Sequence, residues 1–300
     1  MFAQKVLGVC AAGLFWLSGT ALAEQAVIFA HYNIENYLEK NRREGGETVF
    51  GPKPEREKGT LIRIIKEIHP DILGVAEMGP PDQFEEFQQR LKEAGLEFPF
   101  TEYVDGADRE RHLALLSRFE IVERHSLKDP IFDLNGQQEP VERGFLDVTV
   151  QINPAFRLRI VGAHLKSKLA APSGEALLRR NEARLLRKHI DEVLTNEPNG
   201  NLLVYGDLND TKDQPPIQEI LGPRQAPSRL KEITLADAQG DRWTYYRQLS
   251  DSYDRIDYVL ADRALVPQID ESRSYLYRSS DWYTASDHRP VVVVINARTP

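Results

Sequence analysis

The sequence has very little cysteine: a single residue, Cys10, in 300. Disulfide cross-links are therefore excluded as a source of stability, and a structural zinc site built on clustered cysteines is excluded as well. The chain also lacks any linker rich in glycine, serine or proline that would divide it. A chain of this length can bury a large core, so we predict one large domain stabilised by packing alone.

Long apolar runs are missing too, since no segment approaches the twenty or so apolar residues that span a bilayer. The apolar stretch Val6 to Leu17 is too short for that; it follows Lys5 and precedes Ala21-Leu22-Ala23. A basic residue, a short apolar stretch and a small-x-small cleavage site are typical of an export signal. We predict that residues 1–23 are a signal peptide and 24–300 the mature, periplasmic or secreted chain. An uncleaved membrane anchor is the alternative.

An excess of basic charge is absent as well. The chain has 46 acidic and 38 basic side chains, a net charge of −8. This balance excludes a protein that coats nucleic acid through a basic surface, because such binding depends on the release of counterions by lysine and arginine. It does not exclude an enzyme that cuts a polyanion with a local cluster of charges.

Strand and helix patterns alternate along the chain, without an internal repeat. Helices are predicted around Leu61 to Ile68, from a capping box at Asp82 and Glu85 toward Ala94, and from Gly174 to Leu194. Loops are predicted for the charged segment Asn36 to Lys58 and around Pro215-Pro216. Strands are predicted at Ala26–Ile34, Ile72–Ala76, His112–Ser117, Val141–Ile152, Arg157–His164, Asn201–Tyr205, Arg255–Leu260 and Val291–Ile295. A turn at Asn153-Pro154 makes two of these strands a hairpin, so we expect an α/β fold with mixed sheets, two of them packed face to face with helices outside.

Polar side chains stand at the ends of many of these strands. The residues are Asn33, Glu77, His164, Asp207 with Asn209, Asp254 to Asp257, and the pair Asp287-His288 before the last strand. A carboxylate after a buried strand is either exposed at the sheet rim or bound to a cation. Six such strand ends can build one site for a metal ion and a phosphate group.

Each of these residues also has an ordinary structural interpretation. Asp207 and Asn209 fit an Asx-turn, His164 fits a structural histidine, and Asn33 can close a loop. Glu35, two residues after Asn33, adds charge to the same place. Of the two acids three residues apart, only one can point inward along a strand, and we favour Asp257 over Asp254 as the partner of a histidine.

Basic and aromatic side chains near these motifs have two interpretations each. Lys166, after His164, can bind phosphate oxygens, and Arg111 can reach a phosphate or be a solvated loop charge. The aromatic residues near Trp243 and Trp282-Tyr283 can stack on bases or contact lipid, although core packing is the simpler expectation.

The motifs His164-Leu165-Lys166-Ser167, Gly206-Asp207-Leu208-Asn209, Arg255-Ile256-Asp257-Tyr258 and Ser286-Asp287-His288, in this order, resemble the endonuclease/exonuclease/phosphatase superfamily. That superfamily includes secreted deoxyribonucleases, apurinic endonucleases, sphingomyelinases and inositol polyphosphate phosphatases. The resemblance spans nearly the whole mature chain. It implies a four-layer αββα sandwich with the site at one rim of two mixed central sheets.

The resemblance also implies roles for the site residues. Glu77 would be the main Mg²⁺ or Mn²⁺ ligand, with Asn33 and Asp287 nearby and Glu35 acting through water. The expected catalytic residues are His164 and Asn209 for the scissile phosphate, Asp207 for the attacking water, and Asp257 to fix His288 as acid or phosphate binder.

We therefore expect an exported, metal-dependent nuclease that hydrolyses DNA or also RNA, a monomer without a protein partner. The alternatives are a phosphodiesterase or phosphatase acting on a phospholipid or a soluble phosphate ester and, more remotely, a non-catalytic binding protein. A lipid-cleaving enzyme would expose an apolar hairpin, for which the sequence offers only Trp282-Tyr283.

Overall fold

The computed structural model describes residues 24–44, 47–198 and 200–298 of the chain. The predicted export signal, residues 1–23, lies outside the described residues. The strands are β1 Glu24–Tyr37, β2 Lys40–Glu44, β3 Glu47–Gly51, β4 Ile72–Met78, β5 Phe100–Val104, β6 His112–Ser117, β7 Glu120–Arg124, β8 Ile131–Leu134, β9 Gln137–Pro140, β10 Phe145–Asn153, β11 Phe156–His164, β12 Asn201–Asp207, β13 Lys231–Glu232, β14 Tyr245–Arg247, β15 Ser252–Asp254, β16 Asp257–Ala261, β17 Ile269–Leu276 and β18 Val291–Arg298. The α-helices are α1 Glu55–Ile68, α2 Pro81–Glu93, α3 Glu175–Asn196, α4 Pro215–Leu221 and α5 Trp282–Ala285. Each of these helices is too short or too polar to cross a bilayer.

Two six-stranded mixed sheets form the centre of the fold. The first has the order β17-β18-β1-β4-β6-β5 and the second β13-β16-β12-β11-β10-β7. Their inner faces share one apolar cluster, which includes Phe29 and Val293 from the first sheet and Leu203 and Tyr205 from the second. Helices α1 and α2 cover the outer face of the first sheet, and α3 and α4 that of the second. This is the predicted four-layer αββα sandwich.

The two long helices follow the sequence pattern. In α1 the buried residues Leu61, Ile64, Ile65 and Ile68 form one stripe against the sheet. The helix ends at His69, which caps it with a left-handed backbone (φ 52°) directly before Pro70. Helix α3, predicted from Gly174 to Leu194, buries its apolar face against the second sheet in the same way.

The prediction of an unpacked loop from Asn36 to Lys58 was wrong. This segment contains the hairpin β2–β3 and the start of α1. Its charges pack because they find partners: Arg42 donates to the carbonyls of Asn36 and Leu38. Lys53, only 1% exposed, donates to the carbonyl of Glu35. A run of charges excludes burial only when the charges lack such partners.

Two further local predictions were wrong for reasons that involve proline. Pro215 and Pro216 begin α4 rather than an irregular loop, because proline fits the first turn of a helix, where its missing N–H has no partner to lose. Similarly, α2 begins at Pro81 after Pro80, and no capping hydrogen bond from Asp82 is present.

The directions and registers of the strands determine which strand ends lie together at the site. Strand β4 runs parallel to β1, and β12 runs parallel to β11, so their carboxyl ends lie at the same edge, with His164 opposite Asp207. Strands β16 and β18 run antiparallel to β12 and β1 and begin at that edge, with Asp257 opposite Asp207. Three adjacent strands of each sheet therefore contribute to one site.

Tyr205 fills the space between the sheets below this edge. Its ring is fully buried and lies 5.1 Å from the ring of His31. A Cβ atom at Gly74 or Gly162 would lie 2.4 or 2.6 Å from the ring carbon Cζ. The two glycines, one from each sheet, thus allow the tyrosine to support the floor of the site.

Candidate active site

Asp257 and His288 form a buried polar contact at the site. Nδ1 of His288 lies 2.8 Å from one carboxylate oxygen of Asp257, and the other oxygen lies 3.1 Å from Nε2 of His31. Burial opposes the charge on His288, but Asp257 and then Asp207 outweigh it and raise the pKa of His288 well above its usual range. His288 is therefore an imidazolium at neutral pH, oriented by Asp257.

Asp207 lies at the centre of the cluster. Its Oδ2 accepts a hydrogen bond from Nδ2 of Asn33 at 3.0 Å and lies 3.6 Å from Nε2 of His164 and 3.7 Å from Nε2 of His288. Burial, and next the charge of Asp257, raise the pKa of Asp207 to about 7. A carboxylate with a pKa near neutrality can accept a proton in a reaction at neutral pH.

His164 differs from His288 in its charge. Burial, and next the guanidinium of Arg143, lower the pKa of His164 to about 3, so the imidazole is neutral. Its Nδ1 is buried without a hydrogen-bond partner among the described residues, and its Nε2 lies 4.0 Å from Glu77. A neutral imidazole donates one hydrogen bond and accepts one, which suits contact with a phosphate oxygen.

Glu77 is held in a backbone conformation that its residue type seldom adopts, with φ 63°. One carboxylate oxygen accepts from Nδ2 of Asn33 at 3.2 Å and the other from the backbone N–H of Asn36 at 2.9 Å. Burial raises the pKa of Glu77, but nearby positive charge and hydrogen bonding outweigh burial, and the pKa lies below its usual range. Because His164 is neutral, we attribute this lowering to His288 and to the Asn33 hydrogen bond.

Two more carboxylates, which lie beside Glu77, have raised pKa values. Burial raises the pKa of Asp287, and burial followed by the charge of Asp287 raises that of Glu35 to about 7. Lys53 lies 4.0 Å from Glu35 and offsets part of this effect. The site therefore concentrates more negative charge than its own cations neutralise.

This excess of buried carboxylate charge fits a divalent cation with oxygen ligands. Glu77 and Asp287, which line the same cleft, would hold it, with Glu35 next to them. Asn33 presents its amide nitrogen to the carboxylates while its oxygen accepts from the N–H of Glu35, so a role as an oxygen ligand requires the amide to turn. Asp207, Asp257 and His288 also bring ligand atoms within 4.8 Å of one another. A protonated His288 is a poor ligand, however, and Asp257 already contacts two histidines.

The motif Ser286 to Arg289 fixes His288 from the backbone side. Oγ of Ser286 donates to the carbonyl of Asn33 and accepts from the N–H of His288. Arg289, 1% exposed, pairs with Asp237 at 2.6 Å and lies 3.5 Å above the ring of Trp243. The buried arginine thus anchors the loop that carries the imidazolium.

The residues after His164 and Asp207 are fixed in a similar way. The N–H of Lys166 donates to Glu182 on α3 at 2.6 Å. Nδ2 of Asn209 donates to the carbonyl of Leu165, and the N–H of Asn209 donates to Asp207, with φ 52° at Asn209. Asp207 and Asn209 therefore do form a tight turn, and that turn itself lies in the site.

Two clefts flank the central cluster, and both are lined by Glu77 and His164. The first, of 300 Å³, also contains Asp207, Asp287 and His288. The second, of 720 Å³, contains the predicted phosphate-binding residues Arg111 and Lys166. Nε of Arg111 donates to Asn36, and Nζ of Lys166 donates to Glu142. The catalytic candidates therefore lie in the middle of a groove that continues to both sides.

The aromatic residues do not pack in the core, contrary to our simpler expectation. Trp243, Tyr246, Tyr253, Trp282 and Tyr283 form a continuous ring cluster at the surface, with Tyr253 and Tyr283 exposed. The cluster lies at the hairpin β14–β15. Of the aromatic residues of this hairpin, Tyr245 lines the first cleft, whereas Tyr246 and Tyr253 stack on each other in the surface cluster.

Asp254 and Asp257, between which the sequence left a choice, have different surroundings. Asp257 meets His288, whereas Asp254 ends β15 and lines the first cleft. The intervening Arg255 pairs with Glu232 at 2.6 Å.

Sequence reasoning missed three residues at or beside the site. His31 contacts Asp257, and Lys40 and Arg143 line the second cleft. The alternation of side chains along β1 places His31 on the same face as Asn33, so a histidine two residues before a candidate ligand was a usable signal. Lys40 and Arg143 carried no such signal, because the first lies on an unpredicted hairpin and the second in a loop.

The comparisons with known proteins agree with the fold. Solved structures similar to this chain include truncated TDP2 from Caenorhabditis elegans (16% identity, 91% of this chain and 98% of that chain, TM-score 0.60) and the human Nocturnin catalytic domain (15%, 91% and 97%, 0.63). Beta toxin from Staphylococcus aureus is similar to the same degree (15%, 89% and 99%, 0.62). At such identities the likeness shows the fold alone, and the search of curated proteins found no match. The family described as the Endonuclease/Exonuclease/phosphatase family matches residues 30–288. Because this match spans most of the chain, the protein belongs to that family.

Proposed function

We propose that this phosphoester hydrolase is a metal-dependent phosphodiesterase that cleaves nucleic acid, with DNA as its main substrate. One observation carries the proposal: the Oδ2 atom of Asp207 lies within 3.7 Å of the Nε2 atoms of both His164 and His288. A proton acceptor, a neutral imidazole and an imidazolium thus converge on one point. These three kinds of group can promote in-line attack of water on a phosphodiester by accepting a proton, binding the phosphate oxygens and stabilising the charge that develops.

The side chains divide the reaction among them. Asp207 accepts the proton of the attacking water, while His164 and Asn209 hold nonbridging oxygens of the phosphate. His288, held by Asp257, donates a proton or a charged hydrogen bond to the phosphate or the leaving oxygen. Lys166 and Arg111 hold the substrate in the second cleft.

A divalent cation, which we propose to be Mg²⁺ or Mn²⁺, completes the site. Glu77 and Asp287 would hold it, with Asn33 and Glu35 as the neighbouring groups. When bound, the cation neutralises charge that develops on the phosphate oxygens, which is worth several kcal/mol.

The test is the conversion of supercoiled plasmid to nicked and linear forms by purified protein. We expect cleavage with Mg²⁺ or Mn²⁺ and none with EDTA, and we expect His164→Ala and His288→Ala to abolish it. Lys188→Ala, on the outer surface of α3, is the matched control because its side chain is 73% exposed. Cleavage that continues in EDTA would contradict the metal assignment.

A second candidate function is hydrolysis of a phospholipid phosphodiester, and the hairpin β14–β15 favours it. Leu249 at its tip is fully exposed and lines the first cleft, and Tyr253 and Tyr283 are exposed as well. An exposed apolar tip next to a phosphodiester site can enter the surface of a bilayer. Release of phosphocholine from sphingomyelin vesicles, reduced tenfold by Leu249→Ser, would support this function over the first. No release, together with plasmid cleavage, would reject it.

We also propose that the protein is exported and that its mature chain begins near Glu24. The proposal is supported by Lys5, the apolar stretch that follows it and Ala21-Leu22-Ala23. Mass spectrometry of the protein from the periplasm and medium of an expressing bacterium tests it. A chain that retains residues 1–23 in the cell pellet would contradict it.

A further inference from the structure

The second cleft, called here the basic cleft, differs from the first in its charge. It lies directly beside His164 and is lined by four cationic side chains. They are Lys40, Arg111, Arg143 and Lys166. Two of them, Arg111 and Lys166, were expected to bind a phosphate of the substrate, and Lys40 and Arg143 add two further positive charges. A volume of 720 Å³ is within the range of pockets that bind a ligand of nucleotide size.

Two carboxylates hold three of these cations, all except Lys40, together. Asp108 lies 3.1 Å from Arg143 and 3.8 Å from Arg111, and Glu142 lies 2.6 Å from Arg143 and 2.8 Å from Lys166. Arg143 is thereby fixed between two acids, although it is only 6% exposed. The arginine is thus held in place before any ligand arrives, so little ordering of its side chain would be needed on binding.

The basic cleft also has unused hydrogen-bonding capacity. Nε of Arg143 is buried without a hydrogen-bond partner among the described residues. Among the described residues, Nζ of Lys40 likewise has no hydrogen bond or ion pair. Burial, and next the guanidinium of Arg42, lower the pKa of Lys40. A buried donor without a partner costs free energy, and so does an ammonium near other cations. An anion with several oxygens, such as a phosphate group, would relieve both costs.

We infer that the basic cleft is a subsite for a second phosphate group of the substrate, next along the strand from the phosphodiester that is cleaved. The inference rests on the proposed function, because that function places the scissile phosphate at Asp207 and His164. A second phosphate subsite restricts the substrate to molecules that carry at least two phosphate groups. A nucleic acid strand fits best because the groove continues past His164 on both sides; a soluble bisphosphate ester has the same chemistry.

The experiment measures binding without turnover. The affinities of the thymidine dinucleotide dTpdT and of its 5′-phosphorylated and 3′-phosphorylated forms are determined by calorimetry in EDTA at low salt. We expect one phosphorylated form to bind at least tenfold more tightly than dTpdT. Lys40→Ala should reduce this ratio to below threefold, and Lys40→Arg should restore most of it. The control Lys188→Ala, on the far face of α3, should leave the ratio unchanged.

Several results would overturn the inference. Equal affinities for all three dinucleotides would do so, as would a preference that Lys40→Ala does not change. Inositol bisphosphate is measured in the same way. If it binds more tightly than dTpdT while neither phosphorylated dinucleotide does, the assignment to a nucleic acid strand is overturned. Hydrolysis of dTpdT with Mg²⁺ is measured separately: if it is absent while the binding ratio persists, the proposed function fails and the subsite stands. If dTpdT is cleaved but the ratio is one, the subsite fails and the function stands.

Discussion

His31 faces the carboxylate of Asp257 at 3.1 Å, on the side opposite to His288. Its other ring nitrogen lies 3.3 Å from the carbonyl oxygen of Gly74, so the imidazole is fixed between two sheets. His31 lines neither of the two clefts between which we propose that the phosphate binds. It is therefore a positioning residue, which orients Asp257 and through it His288.

Removal of this contact should lower turnover without weakening substrate binding. We expect His31→Phe, which keeps the ring volume but cannot hydrogen-bond, to reduce kcat about tenfold with an unchanged KM. His31→Gln, which retains a donor for Asp257, should recover much of the loss. By comparison, His288→Ala should lower kcat by a factor of about 10² to 10⁴. Steady-state kinetics on a DNA substrate measures kcat and KM of these variants. An equal loss of kcat in His31→Phe and His31→Gln would show that only packing is involved.

Asp207 should destabilise the metal-free fold at high pH. Its pKa is about 7 in the folded protein and near 3.9 in the unfolded chain. The unfolded state therefore binds fewer protons between these values, and the free energy of unfolding falls as the pH rises through that window. We expect Asp207→Asn to raise the free energy of unfolding by up to about 4 kcal/mol at pH 8, and by nearly nothing at pH 4. Urea denaturation in EDTA at both pH values measures the difference, and a gain that is the same at both would contradict the assigned titration.

Binding of a divalent cation should raise the melting temperature, since a ligand that binds only the folded state stabilises it by mass action. With 10 mM Mg²⁺ in place of EDTA, we expect a rise of several degrees that is lost in Glu77→Gln and reduced in Asp287→Asn. Asp254→Asn is the matched control, because Asp254 lines the same cleft but is outside the proposed ligands. An equal Mg²⁺ response in Glu77→Gln and the wild type would remove Glu77 from the ligand set.

The glycines around Tyr205 give a prediction about stability. Gly74→Ala would place a methyl group 2.4 Å from the buried ring, and we expect a loss of about 1–3 kcal/mol in the free energy of unfolding. Gly59, inside α1, has open space around its Cβ position, so Gly59→Ala should instead stabilise by about 0.5–1 kcal/mol. Chemical denaturation of both variants tests this pair, and a neutral Gly74→Ala would mean that the tyrosine moves freely.

The sequence alone determined the layers of the fold and most of the candidate site. Strand and helix patterns are local, so the periodicity of segments such as Leu61 to Ile68 was enough to identify them. Polar residues directly after buried strands, such as Glu77 and His164, could be recognised as candidates because strand ends of parallel neighbours meet at one edge. The sequence also allowed the choice of Asp257 over Asp254, which the contact with His288 matches.

Only the tertiary structure decided the parts that depend on contacts between distant segments. The hairpin β2–β3 could not be predicted from its charges, because their partners are backbone carbonyls outside it. The role of His31 depends on the other sheet, and the basic cleft joins Lys40 to Arg143 across about a hundred residues of sequence. The opposite pKa shifts of His164 and His288 have the same origin. Both histidines are buried, and they differ in the charges that the fold brings to each: Arg143 to His164, and Asp257 and Asp207 to His288.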